Sequence, residues 1–307
     1  MNYILFDTSN RLRSGWRAGI FLFAFTIAAV ALGAAGQAVM SAMHIESSTG
    51  TATILVVNGI LSLIPAILIG WLCGRLLEKL PFRALGAAFT HGWFNHWILG
   101  LVIGAATLSF AVLIAFAAGG LRFAIDNVDK SALLSSLGIS FAIFAVAAAF
   151  EEALFRGYIL QTFSRSGLAW LAILLTSVFF GAVHLGNPGA GIISTTNTIL
   201  AGIWFSVAYL KTRDLWFVWG LHLMWNWMQG SIFGIEVSGL TGLSTAPLLR
   251  EIDGGPQWLT GETYGIEASI VCTIALIVST AAIYLLPIFK PDEELLAMTS
   301  KTRSCDS

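Results

Sequence analysis

The chain has 307 residues, of which 57% are hydrophobic and 11% charged, and a formal net charge of -1 at pH 7, with a mean hydropathy of +0.82. A soluble domain carries about 25% charged residues, so the composition excludes one and predicts an all-α polytopic membrane protein, while the charge balance argues against a nucleic-acid partner. Cys73, Cys272 and Cys305 are widely spaced and odd in number, and suggest neither a disulfide framework nor a CxxC zinc site.

A hydrocarbon core of about 30 Å needs about 20 apolar residues in a helix. On that criterion the chain predicts about eight transmembrane helices, over 18–42, 52–74, 96–118, 132–151, 168–186, 190–210, 215–234 and 266–288. The first run follows Arg11, Arg13 and Arg17 but is too long for a signal-peptide core, and reads as a signal anchor. His91 and His96, interleaved with Trp93 and Trp97, stand where the third run enters the membrane, and His44 near the outer end of the first. Trp is favoured at that interface, so an interfacial belt is the expectation for these histidines rather than a ligand site.

With the N-terminus inside, only Arg122, Lys130 and Arg250 of the sixteen Lys and Arg fall outside, and Arg156 stays at the membrane. Both termini are therefore expected in the cytoplasm. Short loops and high Ala and Gly content read as a bacterial plasma membrane protein. The expected organisation is one membrane-embedded domain over 1–307, a helical core at 132–234, and an ordered or partly ordered external loop at 236–265 containing Gly254, Gly255 and Pro256.

Ionisable side chains inside apolar runs are costly and default to a functional reading. Glu151, Glu152 and Arg156 end the fourth run; Glu152 and Arg156, four apart, share a helix face and can pair, while Glu151 points about 100° away. A poorly solvated carboxylate is a better proton acceptor near neutral pH, but the same cluster also reads as a charged helix end. Phe180 and His184 lie near the far end of the fifth run, where a lone histidine also serves as a satisfied core residue. His222 and Asn226, again four apart, place two hydrogen-bond donors on one face, suited either to an oxyanion or to interhelical polar contacts. Together they make up a base, a water-orienting imidazole and a donor pair for water attack on an amide carbonyl.

The motifs EExxxR (Glu151, Glu152, Arg156), FxxxH (Phe180, His184) and HxxxN (His222, Asn226), in this order on successive apolar helices, resemble the CPBP intramembrane proteases. That family, also called ABI, includes type II CAAX prenyl endopeptidases and bacteriocin-processing or self-immunity proteins. The resemblance covers about 150–226 closely and the rest of the chain loosely, and all three motifs are intact. It implies cleavage of a peptide bond in a membrane-anchored or prenylated substrate, with Glu151 and His184 activating water, His222 and Asn226 forming the oxyanion hole, and Glu152, Arg156 and Phe180 in support. The family has been described both as metalloproteases and as metal-independent glutamate proteases. Without an HExxH pattern, metal-free chemistry is favoured; a divalent metal such as zinc would fall to Glu151, His184 and His222.

Two other classes of function fit parts of this pattern. A proton-coupled transporter also uses intramembrane Glu and His but distributes them along a path, and a non-catalytic scaffold or immunity protein could bind without cutting. Straight upright helices would leave His184 about 24 Å deep and His222 about 12 Å deep from the cytoplasmic side. Bringing them together requires tilted or broken helices, or a 152–165 segment that stays in the membrane with a recessed 165–168 turn. The resulting expectation is a polar cavity beside a break at Gly186, Pro188 and Gly189.

Overall fold

Apolar runs this long become helices because a helix satisfies its own backbone, a condition that a bilayer imposes on any open-ended element. The computed structural model describes residues 4–7, 11–42 and 51–300; His44 and Cys305 lie outside them. Each expected run is helical: α1 (Ser14–Ala42), α2 (Thr51–Glu78), α3 (Trp93–Ala117) and α4 (Lys130–Glu152). After the short α5 (Leu160–Arg165) come α6 (Ala169–Val183), α7 (Ile192–Thr212) and α8 (Leu215–Trp227). A one-turn α9 (Gln257–Thr260), α10 (Ile270–Leu285) and α11 (Glu293–Thr299) complete the described chain.

Among the described residues five helices are long and apolar enough to cross a membrane by length and composition, where the sequence predicts about eight spans. The other three expected spans, α6, α8 and α10, have 15, 13 and 16 residues. The fourth span is longer than expected, because α4 passes through a π-helical stretch at Ala153–Ile159 into α5 and forms one 36-residue helix, Lys130–Arg165.

Among the described residues the fold is helical apart from one two-stranded ribbon and two isolated bridges, which the all-α expectation leaves out. In the ribbon β1 (Leu121–Ala124) pairs antiparallel with β2 (Arg250–Asp253), Leu121 opposite Asp253. Four-residue strands so far apart in sequence carry no periodic signal to find them by. The ribbon anchors the 236–265 segment, which folds back on the helices: Leu248 N–H donates to Ser231 O at 2.8 Å and Gly239 N–H to Tyr264 O at 3.0 Å.

The core lies among α3, α7, α8 and α10, where Leu108, Trp204, Phe217, Leu221 and Ile283 are fully buried. In contrast, α1 and α2 expose Phe23, Val30 and Leu68 outward, as lipid-facing helices do. Beneath them, Glu78 accepts hydrogen bonds from Arg17, from Arg165 Nε at 3.1 Å and from Thr162 Oγ1 at 3.1 Å, tying α1, α2 and α5 together. Arg17, counted above toward the cytoplasmic charge bias, is buried in that network.

The most extensive helix pairing is α3 on α8. Small residues let helix backbones approach closely in membranes, and here a Cβ on Gly100 would stand 2.1 Å from Phe217 O, and one on Gly104 2.3 Å from Leu221 O. Gly100→Val should therefore force the pair apart at about 1–3 kcal/mol, the usual range for overpacking. The readout is a lower thermal midpoint of the detergent-solubilised protein; an unchanged midpoint would contradict the close approach.

Candidate active site

The two consecutive glutamates of α4 meet different surroundings because a helix turns about 100° per residue. Glu152 is 1% exposed, and its Oε1 accepts from Arg156 Nη1 at 3.0 Å and from His222 Nδ1 at 2.8 Å. Glu151 instead lines a cavity of about 190 Å³, its Oε2 3.7 Å from His222 Nε2. A second cavity of about 330 Å³, almost wholly apolar, lies across α4 with Glu152 in its wall. The helix thus separates a chamber that contains polar groups from an almost wholly apolar one.

Arg156 is fully buried. Besides Glu152, its guanidinium donates from Nη2 to Gly202 O on α7 at 3.0 Å and lies 4.9 Å from the Phe180 ring centroid and 5.1 Å from that of Phe205. Aromatic faces attract a cation through their quadrupole, so Phe180 and Phe205 help to hold the charge that Glu152 faces. Phe205 also stacks on His222, centroids 4.5 Å apart at 23°, and Phe180 meets His184 at 4.8 Å.

Both imidazoles are fixed by what their Nδ1 atoms contact. With Glu152 as acceptor, Nδ1 of His222 carries the proton, and Nε2 is directed toward Glu151 at a distance beyond hydrogen bonding. His184, at the C-terminal end of α6, donates from Nδ1 to Phe180 O at 2.7 Å; in the neutral ring this leaves Nε2 as an acceptor. His184 and Asn226 line the same cavity as Glu151 and His222. The structure therefore brings Glu151, His184, His222 and Asn226 together around one space, with Phe180 also in its wall and Glu152 and Arg156 behind it.

The depth difference between the histidines is absorbed in two places. The helix does not end at Glu152: from Glu151 to Arg165 it descends roughly 21 Å, and α6 climbs roughly 22 Å from Ala169 to His184, returning to the same level. The 165–168 turn is exposed at Ser166 and Gly167, whereas the 213–215 turn is packed into the protein at Asp214 and Leu215. Asp214 is completely buried there; it caps α8 by accepting from Trp216 N–H at 2.9 Å and pairs with His96 Nδ1 at 2.9 Å, while Leu215 N–H donates to Gly86 O. His96, expected in an interfacial belt, thus holds the start of the helix that carries His222 and Asn226. The break after α6 falls at 184–191, as the glycines and Pro188 predict.

Asn187, Asn197, Thr198, Ser238 and Glu267 also line the cavity. Asn197 and Thr198 belong to a polar patch on α7 with Ser194, a signal present in the sequence, whereas Ser238 and Glu267 arrive only through the fold of the 233–269 segment. Among the described residues no three His, Cys, Asp or Glu side chains are placed to hold a metal ion.

Residues 133–228 match the family model of the Rce1-like type II CAAX prenyl endopeptidases. The match spans α4 to α8 and includes every motif residue described above. No curated protein and no solved structure matches the chain.

The buried pair gives a stability test. Arg156→Met leaves Glu152 without a cation and should cost about 3–5 kcal/mol, the range for breaking a buried ion pair from one side. Arg156→Met combined with Glu152→Gln should recover much of the loss. Monodispersity and thermal midpoint in detergent report both; a single variant as stable as the parent would rule the pair out as a structural requirement.

Proposed function

We propose that this integral membrane protein, whose residues 133–228 are Rce1-like, is an intramembrane endopeptidase that uses glutamate-activated water to cut a membrane-anchored or lipidated peptide. The observation that carries the reading is the placement of Glu151, His184, His222 and Asn226, from two helices and one helix end, around a single chamber. A proton relay would instead need such groups spread along a path.

In the proposed reaction a water between Glu151 and His184 gives a proton to the Glu151 carboxylate, with His184 Nε2 accepting its second hydrogen bond. The oxygen attacks the scissile carbonyl, and the developing oxyanion takes hydrogen bonds from Asn226 Nδ2 and His222 Nε2. A His222 that donates from both nitrogens carries a positive charge, which Glu151 and Glu152 balance. Glu151 then returns its proton to the departing amine nitrogen as the C–N bond breaks. Glu152, Arg156 and Phe180 hold His222 and the helix in place. We take the chemistry to be metal-free: the chain has no HExxH pattern, and among the described residues no three His, Cys, Asp or Glu side chains are grouped to hold a metal ion.

The positive-charge bias of the loops supports cytoplasmic termini, and the composition a bacterial plasma membrane. The substrate is accordingly sought among lipidated and unlipidated membrane-anchored peptides.

Purified protein should cut a member of such a peptide set, and Glu151→Gln should abolish cleavage while leaving the folded yield unchanged. Retained turnover would remove Glu151 as the base. Asn226→Ala should lower kcat by about 10²- to 10³-fold, the usual cost of one oxyanion donor; a change confined to KM would make Asn226 a binding residue instead. Chelator should leave the rate unchanged, and a loss restored by zinc would replace the metal-free mechanism.

A further inference from the structure

The helix that carries His222 and Asn226 begins on a buried carboxylate. Three described helices, α4, α8 and α11, start on an aspartate whose side chain accepts from the first turn: Asp129, Asp214 and Asp292. Among the described residues only the α8 cap is both fully buried and ion-paired; Asp129 is exposed, Asp292 is partly buried, and neither has an ion pair. Asp214 divides its two oxygens, Oδ1 accepting from Trp216 N–H at 2.9 Å and Oδ2 from His96 Nδ1 at 2.9 Å. One oxygen holds the first turn of α8 and the other ties it to α3.

The two helices run parallel along a seam that this pair closes at one end. His96, Gly100 and Gly104 follow at intervals of four on one face of α3 and meet α8 at Asp214, Phe217 and Leu221 in turn. From the α8 side, a Cβ on Gly220 would stand 2.6 Å from Trp97 O. Glycine lets backbones touch, but it presents no side chain to stop one helix from sliding along the other. A single polar contact in an otherwise smooth seam is the best-attested device for fixing register. A slip of one residue moves α8 by about 1.5 Å and turns it by about 100°, which takes Asn226 away from the chamber. His222 has a second tie, to Glu152 Oε1; Asn226, one turn further on, is placed by α8 itself.

We propose that His96 is a positioning residue for the reaction: by holding Asp214 it locks α8 in register on α3, and so keeps the Asn226 carboxamide and the His222 imidazole aimed at the developing oxyanion. The inference rests on the endopeptidase reading and deepens its oxyanion step. Asn226 lies roughly 18 Å along α8 from Asp214, so His96 acts through the helix and without touching the substrate.

The test is steady-state cleavage by detergent-solubilised protein of a membrane-anchored peptide that the parent cuts. His96→Ala should lower kcat by about 10- to 10²-fold, the scale for a misplacement near 1 Å, and leave KM unchanged. His96→Asn, whose Nδ2 stands near the place of Nδ1, should recover most of the loss. A double-variant cycle decides the route: because His96 acts through the donor pair, His96→Ala should add little to Asn226→Ala, whereas independent effects multiply. Hydrogen exchange needs no substrate: the amides of 215–220 should exchange faster in His96→Ala and at the parent rate in His96→Asn. Should His96→Ala not fold, His96→Gln, which holds its donor one bond further from the backbone, takes its place in each measurement. Parent kcat in the variant, unchanged exchange, or full multiplication with Asn226→Ala would make His96 a packing contact only, overturning the inference and leaving the endopeptidase reading standing. Failure of the parent to cut any peptide removes that reading, and this inference with it.

Discussion

The arrangement depends on the shared Oε1 atom of Glu152. That one oxygen accepts from Arg156 on the same helix and from His222 on α8, so the carboxylate sets the imidazole tautomer and, through Arg156 and Gly202, the position of α7. Each partner is buried at a cost that the others offset. A guanidinium at this depth is tolerable because a carboxylate, a backbone carbonyl and aromatic faces surround it. Removing any member leaves another charge or donor without compensation in a low-dielectric interior.

The same constraint explains why Glu151 and Glu152, adjacent and chemically identical, serve different ends. One turns toward the helix bundle and is held by two donors; the other turns into a chamber and remains partly exposed. Helical pitch alone separates the structural carboxylate from the one proposed as the base. The π-helical stretch that follows, at Ala153–Ile159, carries the helix onward so that α6 can return to the level of Glu151. Glycine-mediated contact of α3 with α8 and the buried Asp214 cap set the height of His222 from the other side.

The 233–269 segment is part of this design. The ribbon of β1 and β2, the short turns around 262–268 and the contacts of Glu267 with Ser238 and Trp225 hold it against the helices, and it contributes Ser238 and Glu267 to the chamber. Residues remote in sequence thereby define the polarity of one wall.

Much was legible in the chain alone. Helix positions follow from apolar runs, since a bilayer rewards about 20 apolar residues wherever they occur, and the pairing of Glu152 with Arg156 follows from a spacing of four on one face. The gathering of ionisable residues in apolar surroundings singled out Glu151, His184 and His222 as candidates, because burial of such groups is costly without a use, and a spacing of four from His222 added Asn226. Other features depended on contacts between distant segments. Composition could not tell that α4 continues to Arg165, since Glu152 and Arg156 look like a helix end until their partners on α7 and α8 are known. Nor could it assign His96 to the Asp214 cap or bring Glu267 to the chamber. Local pattern reports the preference of a segment for apolar surroundings; only tertiary packing determines which polar groups meet there, because the hydrogen bonds that make their burial tolerable come from residues tens of positions away.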